Sequence, residues 1–480
     1  MEHSSSCKRP QRADCDNQTK KYMPQHLSSD FITPLLQTQL DEFQRYGEPI
    51  AVDFRSLLPG LSPERHTHLI HPYPAKLLVH IPYFFLNNSL LVRPGATVLD
   101  PFAGSGTVLL EAALASCNPL GAEVNPVGRL VTRAKLQRHD VRELRSAKSL
   151  IQASLPPTPQ TDLPRLINPT HWYSRRILRE LHCLSEAIHS VDLPAHVKDF
   201  FLVAFSVCTR RLSNADPRLS VPVLLTAEKY KSNKTQHNNA KNRLQWLKTA
   251  SAWAEFSAVI ERNIQRASTL PEVDTLRPPV LFEDARTLSV PSVQGSTGLA
   301  DASVDLVLTS PPYAGAQKYV RSQSLNMGWL GYLDDRPLTD YKRSTIGREQ
   351  YRLQEYTSQT TTNIDGADAL LSEVHNENPL RAHIAATYIL EMQTALTEAV
   401  RVLKPGGHIV LIAANNQVCG RPLPTTNYLS AILTNLGLTE KLCLIDTIHS
   451  RGLMTKRNKT ASMISREWVY LFRKGEPHAR

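Results

Sequence analysis

The run Ala96-Thr97-Val98-Leu99-Asp100-Pro101-Phe102-Ala103-Gly104-Ser105-Gly106-Thr107-Val108-Leu109-Leu110-Glu111 decides the fold. Thr97 to Leu99 are β-branched or apolar and predict a short buried strand that ends at Asp100. Small residues then turn the chain, and an apolar helix opens at Val108. Gly104 and Gly106 let a ligand approach the backbone closely, because a Cβ at either position would block it. The turn is expected to present free N–H groups at a helix N-terminus above the carboxyl end of a strand. Open α/β sheets bind nucleotide-like ligands there.

A glycine turn alone also fits an ordinary strand–helix connection, so its neighbours carry the argument. Leu120-Gly121-Ala122-Glu123 reads as the end of a second strand, roughly 20 residues further on, where a carboxylate can accept hydrogen bonds from both hydroxyls of a ribose. No Lys-Ser/Thr pair follows the glycines, which argues against an ATP-type phosphate loop. The α/β pattern resumes at Val280-Leu281-Phe282-Glu283-Asp284-Ala285, where Asp284 would face the same crevice and reach an adenine amino group. A further buried strand, Val304 to Leu308, leads into Ser310-Pro311-Pro312-Tyr313. Two prolines after a strand force a rigid, extended turn.

The chain has 480 residues, 41% hydrophobic and 21% charged, which suits a large globular core. A net charge of +11 favours an acidic partner, nucleic acid first. Seven cysteines lie scattered without a C-x-x-C pair, arguing against a disulfide framework or zinc knuckle and suiting a reducing cytoplasm. No apolar export signal or membrane-spanning run is read in the chain.

Residues 1–45 read as a flexible basic arm. Ile50 to Phe54 can form a short strand. His66, His68 and His71 suggest a metal, but no carboxylate or cysteine lies between them, so no metal is expected. The segment His71-Pro72-Tyr73-Pro74-Ala75-Lys76 is instead expected to open a helix that lies across the ligand pocket. Gly128 to Ser154 reads as helix, and Pro156, Pro157 and Pro159 break it. A mainly helical, basic insertion then occupies 156–275, with a polar loop from Lys229 to Asn242. Between His171 and Leu270 there are 15 Lys and Arg against 8 Asp and Glu, which fits a nucleic-acid contact surface or a solvated charged face. Asp334 to Asn378 is polar and reads as a loop that orders on a substrate. Helix, strand, helix and two closing strands follow, the last being Glu467 to Phe472.

Together these residues resemble the amino-directed DNA methyltransferases that use S-adenosylmethionine, in particular the cytosine-N4 group. Asp100 to Thr107 looks like that family's cofactor loop and Ser310 to Tyr313 like its catalytic tetrapeptide. His71 to Lys76 is similar to the segment covering the methionine end of the cofactor. The resemblance implies a Rossmann-like class I α/β sheet of seven strands, mostly parallel, with an antiparallel pair at its C-terminal edge. Its catalytic domain would span 46–155 and 276–475, interrupted by the insertion. It assigns Asp100, Phe102, Gly104, Gly106, Thr107, Glu123, Asp284, Ala285, His71 and Lys76 to the cofactor, and Ser310, Pro311, Pro312 and Tyr313 to chemistry. Arg210, Arg211, Lys229, Lys231 and Lys318 are the expected contacts to double-stranded DNA with its target base flipped out. The implied partner is a restriction endonuclease. None of the cysteines follows a proline, as methylation at cytosine carbon 5 would require. Adenine-N6 methylation, base-amine methylation of RNA and a catalytically inactive nucleic-acid adaptor remain the alternatives. In the commonest family orders target recognition sits elsewhere than in such an insertion, and Lys318 to Asn378 is the rival segment.

Overall fold

The computed structural model describes residues 28–293, 295–314, 319–447 and 466–476. Ten strands occur among them: β1 (Ile50–Val52), β2 (Thr97–Asp100), β3 (Asn118–Ala122), β4 (Val280–Phe282), β5 (Val304–Thr309), β6 (Leu403–Ala413), β7 (Asn416–Val418), β8 (Arg421–Leu423), β9 (Leu438–Thr447) and β10 (Arg466–Lys474). Eight form one sheet in the order β1-β9-β10-β6-β5-β2-β3-β4, and β7 and β8 make a separate hairpin. All pairs in the sheet are parallel except those of β10, which runs antiparallel between β6 and β9. This is the mostly parallel Rossmann-like sheet that the sequence implied, with β1 added in parallel at the β9 edge. The central strands are apolar on both faces because helices cover both sides.

One face of the sheet packs on the helix Pro379–Val402, through Met392, Leu396 and Ala399. The opposite face packs on the helices Ser29–Tyr46, His80–Leu86 and Thr107–Leu114. The first of these corrects the expected flexible arm. Ile32, Leu36 and Gln39 repeat at helical spacing and are buried, so order begins well before residue 45, while residues 1–27 lie outside the described residues.

The basic block also differs from a free-standing insertion. Its helices Arg175–Ser190, Ala195–Arg211 and Ala252–Ala267 share one core with Pro126–Leu136, Val141–Ala153 and residues 320–341. The stretch read as one helix from Gly128 is thus two, separated where Asp140 accepts from Arg142 N at 2.7 Å and caps the second. The expected loop Lys229–Asn242 is a single 3₁₀ turn, Glu228–Tyr230, followed by the helix Lys234–Thr249, capped by Asn233. Likewise Asp334–Asn378 contains the helices Leu338–Ser344 and Ala367–Glu377. Polar composition hid these helices: Lys234–Thr249 buries only Ala240 and Leu247, and Ala367–Glu377 only Ala367, Leu371 and Val374. No helix among the described residues is long and apolar enough to cross a membrane.

Candidate active site

The glycine loop joins β2 to the helix Thr107–Leu114, and Gly106 is its N-cap at φ 72°. A Cβ at Gly106 would stand 2.7 Å from Thr132 Cγ2, whereas one at Gly104 (φ 53°) would meet nothing nearer than Tyr73 Cε1 at 3.8 Å. Gly104 therefore leaves open space above the loop, and Gly106 lets the loop sit on the helix Pro126–Leu136. The loop's amides are not all free, contrary to the expectation from sequence. Gly104 N donates to Glu123 Oε2 at 2.8 Å and Gly106 N to Ala103 O at 2.7 Å. Glu123 also accepts from Asn125 N at 2.7 Å, so its carboxylate fixes the loop and the turn after β3 together. Phe102 N donates to Asp100 Oδ1 at 3.0 Å, while Thr107 is buried at the start of the helix.

Asp100 sits at the end of β2 and Thr309 at the end of β5, in adjacent parallel strands with Leu99 opposite Val307. Thr309 Oγ1 donates to Asp100 Oδ1 at 2.6 Å. The residue after Thr309 is Ser310, so one buried hydrogen bond joins the glycine loop to the tetrapeptide. Burial pushes both Asp100 and Glu123 up to about 7, against the hydrogen bonds each accepts.

Beyond Ser310, Pro311 is buried and Pro312 and Tyr313 are half-buried. Tyr313 Oη donates to Glu467 Oε1 at 2.5 Å, and Asn416 Nδ2 donates to Ala314 O at 2.6 Å. Strand β10 and the β7–β8 hairpin thereby clamp the turn. Burial, the Tyr313 phenol notwithstanding, raises the Glu467 carboxyl above its ordinary value, and Asp446 opposite it in β9 adds to this. Burial, followed by Glu467, raises the Tyr313 phenol well above its own.

Two residues unassigned by sequence complete the site. Tyr73 is buried, with its ring beside Gly104. Burial, Glu123 and Tyr319 raise its phenol, and Tyr319 raises those of Tyr313 and Tyr388 too. The Pro72-Tyr73-Pro74 setting was the available signal for Tyr73; Glu467 gave none, lying in the last strand of the sheet.

Other expected residues are placed differently. His71 is buried and neither ring nitrogen has a hydrogen-bond partner among the described residues; burial, then Lys76 and Lys135, push it down to about 3. Lys76 Nζ donates to the carbonyls of His68 at 2.9 Å and His71 at 2.6 Å, so it closes its own turn. Asp284 accepts from Arg286 on both oxygens, at 2.9 and 2.6 Å, and Arg286 reaches on to Ser344 O at 2.8 Å, so the acid is bridged to the segment after the tetrapeptide. The Ala285 side chain packs into the core beside Phe282. Arg210 donates to Asp216 O and Leu219 O at 3.2 and 2.7 Å, bracing a turn, and Arg211 pairs with Glu255 at 2.8 Å. Lys229 and Lys231 are exposed, and Lys318 lies outside the described residues.

The histidines also have a carboxylate neighbour that sequence did not reveal. His68 Nε2 lies 2.6 Å from Glu111 Oε1, and Arg65 pairs with the other oxygen. Burial lowers His68 to about 4, so the imidazole is neutral and donates to Glu111. Burial would raise the Glu111 carboxyl, but Arg65 and His68 outweigh it and hold it below its ordinary value. Glu111→Ala is expected to cost about 3–5 kcal/mol by leaving the largely buried Arg65 unpaired. A urea midpoint equivalent to less than about 1 kcal/mol would show that Arg65 finds other partners. The pair's contribution is present above the ordinary carboxyl range and is lost as pH falls through the depressed value.

The sheet thus carries a glycine loop, the carboxyls of Asp100 and Glu123 at the ends of adjacent strands and a clamped Ser-Pro-Pro-Tyr turn. Residues 71–151 match the model of the RMKL-like methyltransferase domain. The particular relatives are type II enzymes. The chain is 20% identical over 424 residues to the type II methyltransferase M.MvaI of Kocuria varians, covering 82% of this chain and 87% of that one. It is 35% identical to M.MjaII of Methanocaldococcus jannaschii over 81 residues, 17% of this chain and 15% of that one. Among solved structures, TTHA0409 of Thermus thermophilus, complexed with S-adenosyl-L-methionine, aligns at 18% identity and a TM-score of 0.21. That alignment covers 42% of this chain and 56% of the other.

Proposed function

We propose that this protein methylates the exocyclic N4 amine of cytosine in double-stranded DNA, with S-adenosylmethionine as donor. The observation that carries the reading is the Thr309–Asp100 hydrogen bond, which sets the nucleotide-type loop directly beside Ser310. The residues suit the donor: Gly104 leaves room above its Cα for a close ligand, and the buried Asp100 and partly buried Glu123 are carboxyls that can accept from hydroxyl and amine donors. When bound, the donor supplies an electrophilic methyl on a sulfonium.

A base amine is a poor nucleophile because its lone pair is delocalised into the ring. Ser310 Oγ and the Pro311 carbonyl can accept its two N–H bonds and pull the nitrogen towards tetrahedral geometry; Pro311 has no N–H to compete. Glu467 holds the Tyr313 ring by its hydroxyl, leaving its face to stack on the extruded base. The surplus proton leaves the methylated amine for water. No covalent enzyme intermediate is needed. Ser310, where adenine-directed relatives commonly carry an acidic residue, favours cytosine. The type II relatives support pairing with a restriction endonuclease, and the scattered cysteines support a cytoplasmic setting.

Labelled S-adenosylmethionine with DNA or RNA, followed by nucleoside identification, tests this. Label in N4-methylcytosine from DNA is expected. N6-methyladenine would move the reading to adenine, label only in RNA would reject DNA, and retained cofactor binding without transfer would leave an adaptor. Cofactor affinity should also rise as pH increases through about 7. Asp100 and Glu123, held near that value, accept more strongly from the ligand once ionised. For folding the sign reverses: both acids bind protons more tightly than in the unfolded chain, so their contribution is greatest below roughly pH 4 and declines towards about 7. Calorimetric affinities that stay flat across this range would remove both carboxyls from the binding step.

A further inference from the structure

The helix Lys234–Thr249 has no role in the site described above, yet its surface is specialised. From Lys229 to Ala254 the chain carries six Lys and Arg and no carboxylate. One face of the helix is packed: Ala240 and Leu247 are buried, and Leu244 lies against Leu225 and Ala227. The Arg243 guanidinium lies 4.3 Å from the Trp246 ring centroid and donates to Arg211 O, while Arg176 donates to the carbonyls of Leu247 and Lys248 at 3.4 and 3.2 Å. The helix is thus anchored along its length.

The opposite face is a stripe at steps of three and four: Lys234, Asn238, Lys241, Gln245 and Lys248, all exposed. Cations alternate with amides. Successive lysines stand about 10 Å apart along the axis, close to the roughly 12 Å width of the DNA major groove. Lysine serves phosphates, and Asn and Gln suit the edge of adenine. The segment that follows the tetrapeptide docks on the same basic block, with Asn326 Nδ2 donating to Ser206 O at 2.6 Å and Trp329 edge-on to Tyr173 and Phe205.

We infer that the Lys234–Thr249 helix is the element that docks duplex DNA, its lysines on the phosphates and Asn238 and Gln245 on base edges. This rests on the DNA-methyltransferase reading and names the surface through which that substrate is held. The five positions are solvent-facing, so substitution there leaves the packed face intact.

The test compares the wild-type protein with K234A/K241A/K248A on a short duplex across a salt series. The slope of log affinity against log salt is expected to become shallower by about 2–3, near 0.9 per lost phosphate contact. Duplex affinity should fall at least tenfold at low salt, with S-adenosylmethionine binding and melting temperature unchanged. N238A/Q245A should keep the slope and lose roughly ten- to hundredfold discrimination between the methylated site and single-base variants. An unchanged slope in the triple variant makes the stripe a solvated face and overturns the inference. An unchanged site preference in the double variant overturns the base-reading half. Failure of the underlying reading is seen separately, as a wild-type protein that neither binds nor methylates duplex DNA.

Discussion

Tyr313→Ala is expected to lower kcat/KM for methyl transfer to DNA at least a hundredfold while leaving S-adenosylmethionine affinity unchanged. Two losses combine. Stacking of a base on an aromatic ring contributes about 1–3 kcal/mol. Removing the phenol also removes its hydrogen bond to the partly buried Glu467, 2.5 Å away, which holds the ring in its stacking position and is worth about 1 kcal/mol of that positioning. Tyr313→Phe separates the two, since it keeps the ring and loses only the clamp; an intermediate, roughly tenfold loss is expected. Steady-state kinetics on duplex and isothermal calorimetry on the cofactor read both outcomes. If cofactor affinity collapsed with Tyr313→Ala, the ring would belong to the donor pocket and not to the base.

Gly106→Ala is expected to weaken cofactor binding about a hundredfold and to lower the melting temperature. An alanine at φ 72° costs about 1–2 kcal/mol in the left-handed region. Its Cβ would also stand 2.7 Å from Thr132 Cγ2 and 2.8 Å from Thr132 Oγ1. Thr132 is fully buried, so it has little room to yield, and the loop would lift from its helix and carry Gly104 with it. Gly106→Ala with Thr132→Ala removes the clash but not the strained backbone, and should restore part of the affinity. Full affinity in the single variant would mean that the loop tolerates displacement and that its close seating on the helix is not what positions the donor.

The site was legible where chemistry follows from adjacent residues. The small residues between Asp100 and Thr107 announce a turn, and a proline pair behind a β-branched strand announces a rigid one. Asp284 shows what adjacency leaves out. An acid after a strand reads as a ligand contact, and only the structure shows Arg286, two residues on, folding back onto both its oxygens. Arg210 and Arg211 show the same limit, because a cation's surroundings decide whether it faces phosphate or braces a turn. Glu467 was recognisable only as part of a closing strand, since its role depends on a tyrosine 154 positions earlier.

By itself the sequence determined the alternation of short apolar strands with helices, the two turns proposed to carry the chemistry and the basic character of the helical block. These properties are local: periodicity, proline and glycine act on the residues beside them. The strand order that sets β2 against β5, the Thr309–Asp100 bond between their ends, the Tyr313–Glu467 clamp and the solvent-facing lysine stripe came only from the tertiary structure. The same holds for the helix Ser29–Tyr46, whose buried residues become core only when β9 is there to receive them. Each of these depends on which distant surfaces are buried together, and that follows from packing the whole chain, not from any one stretch of it.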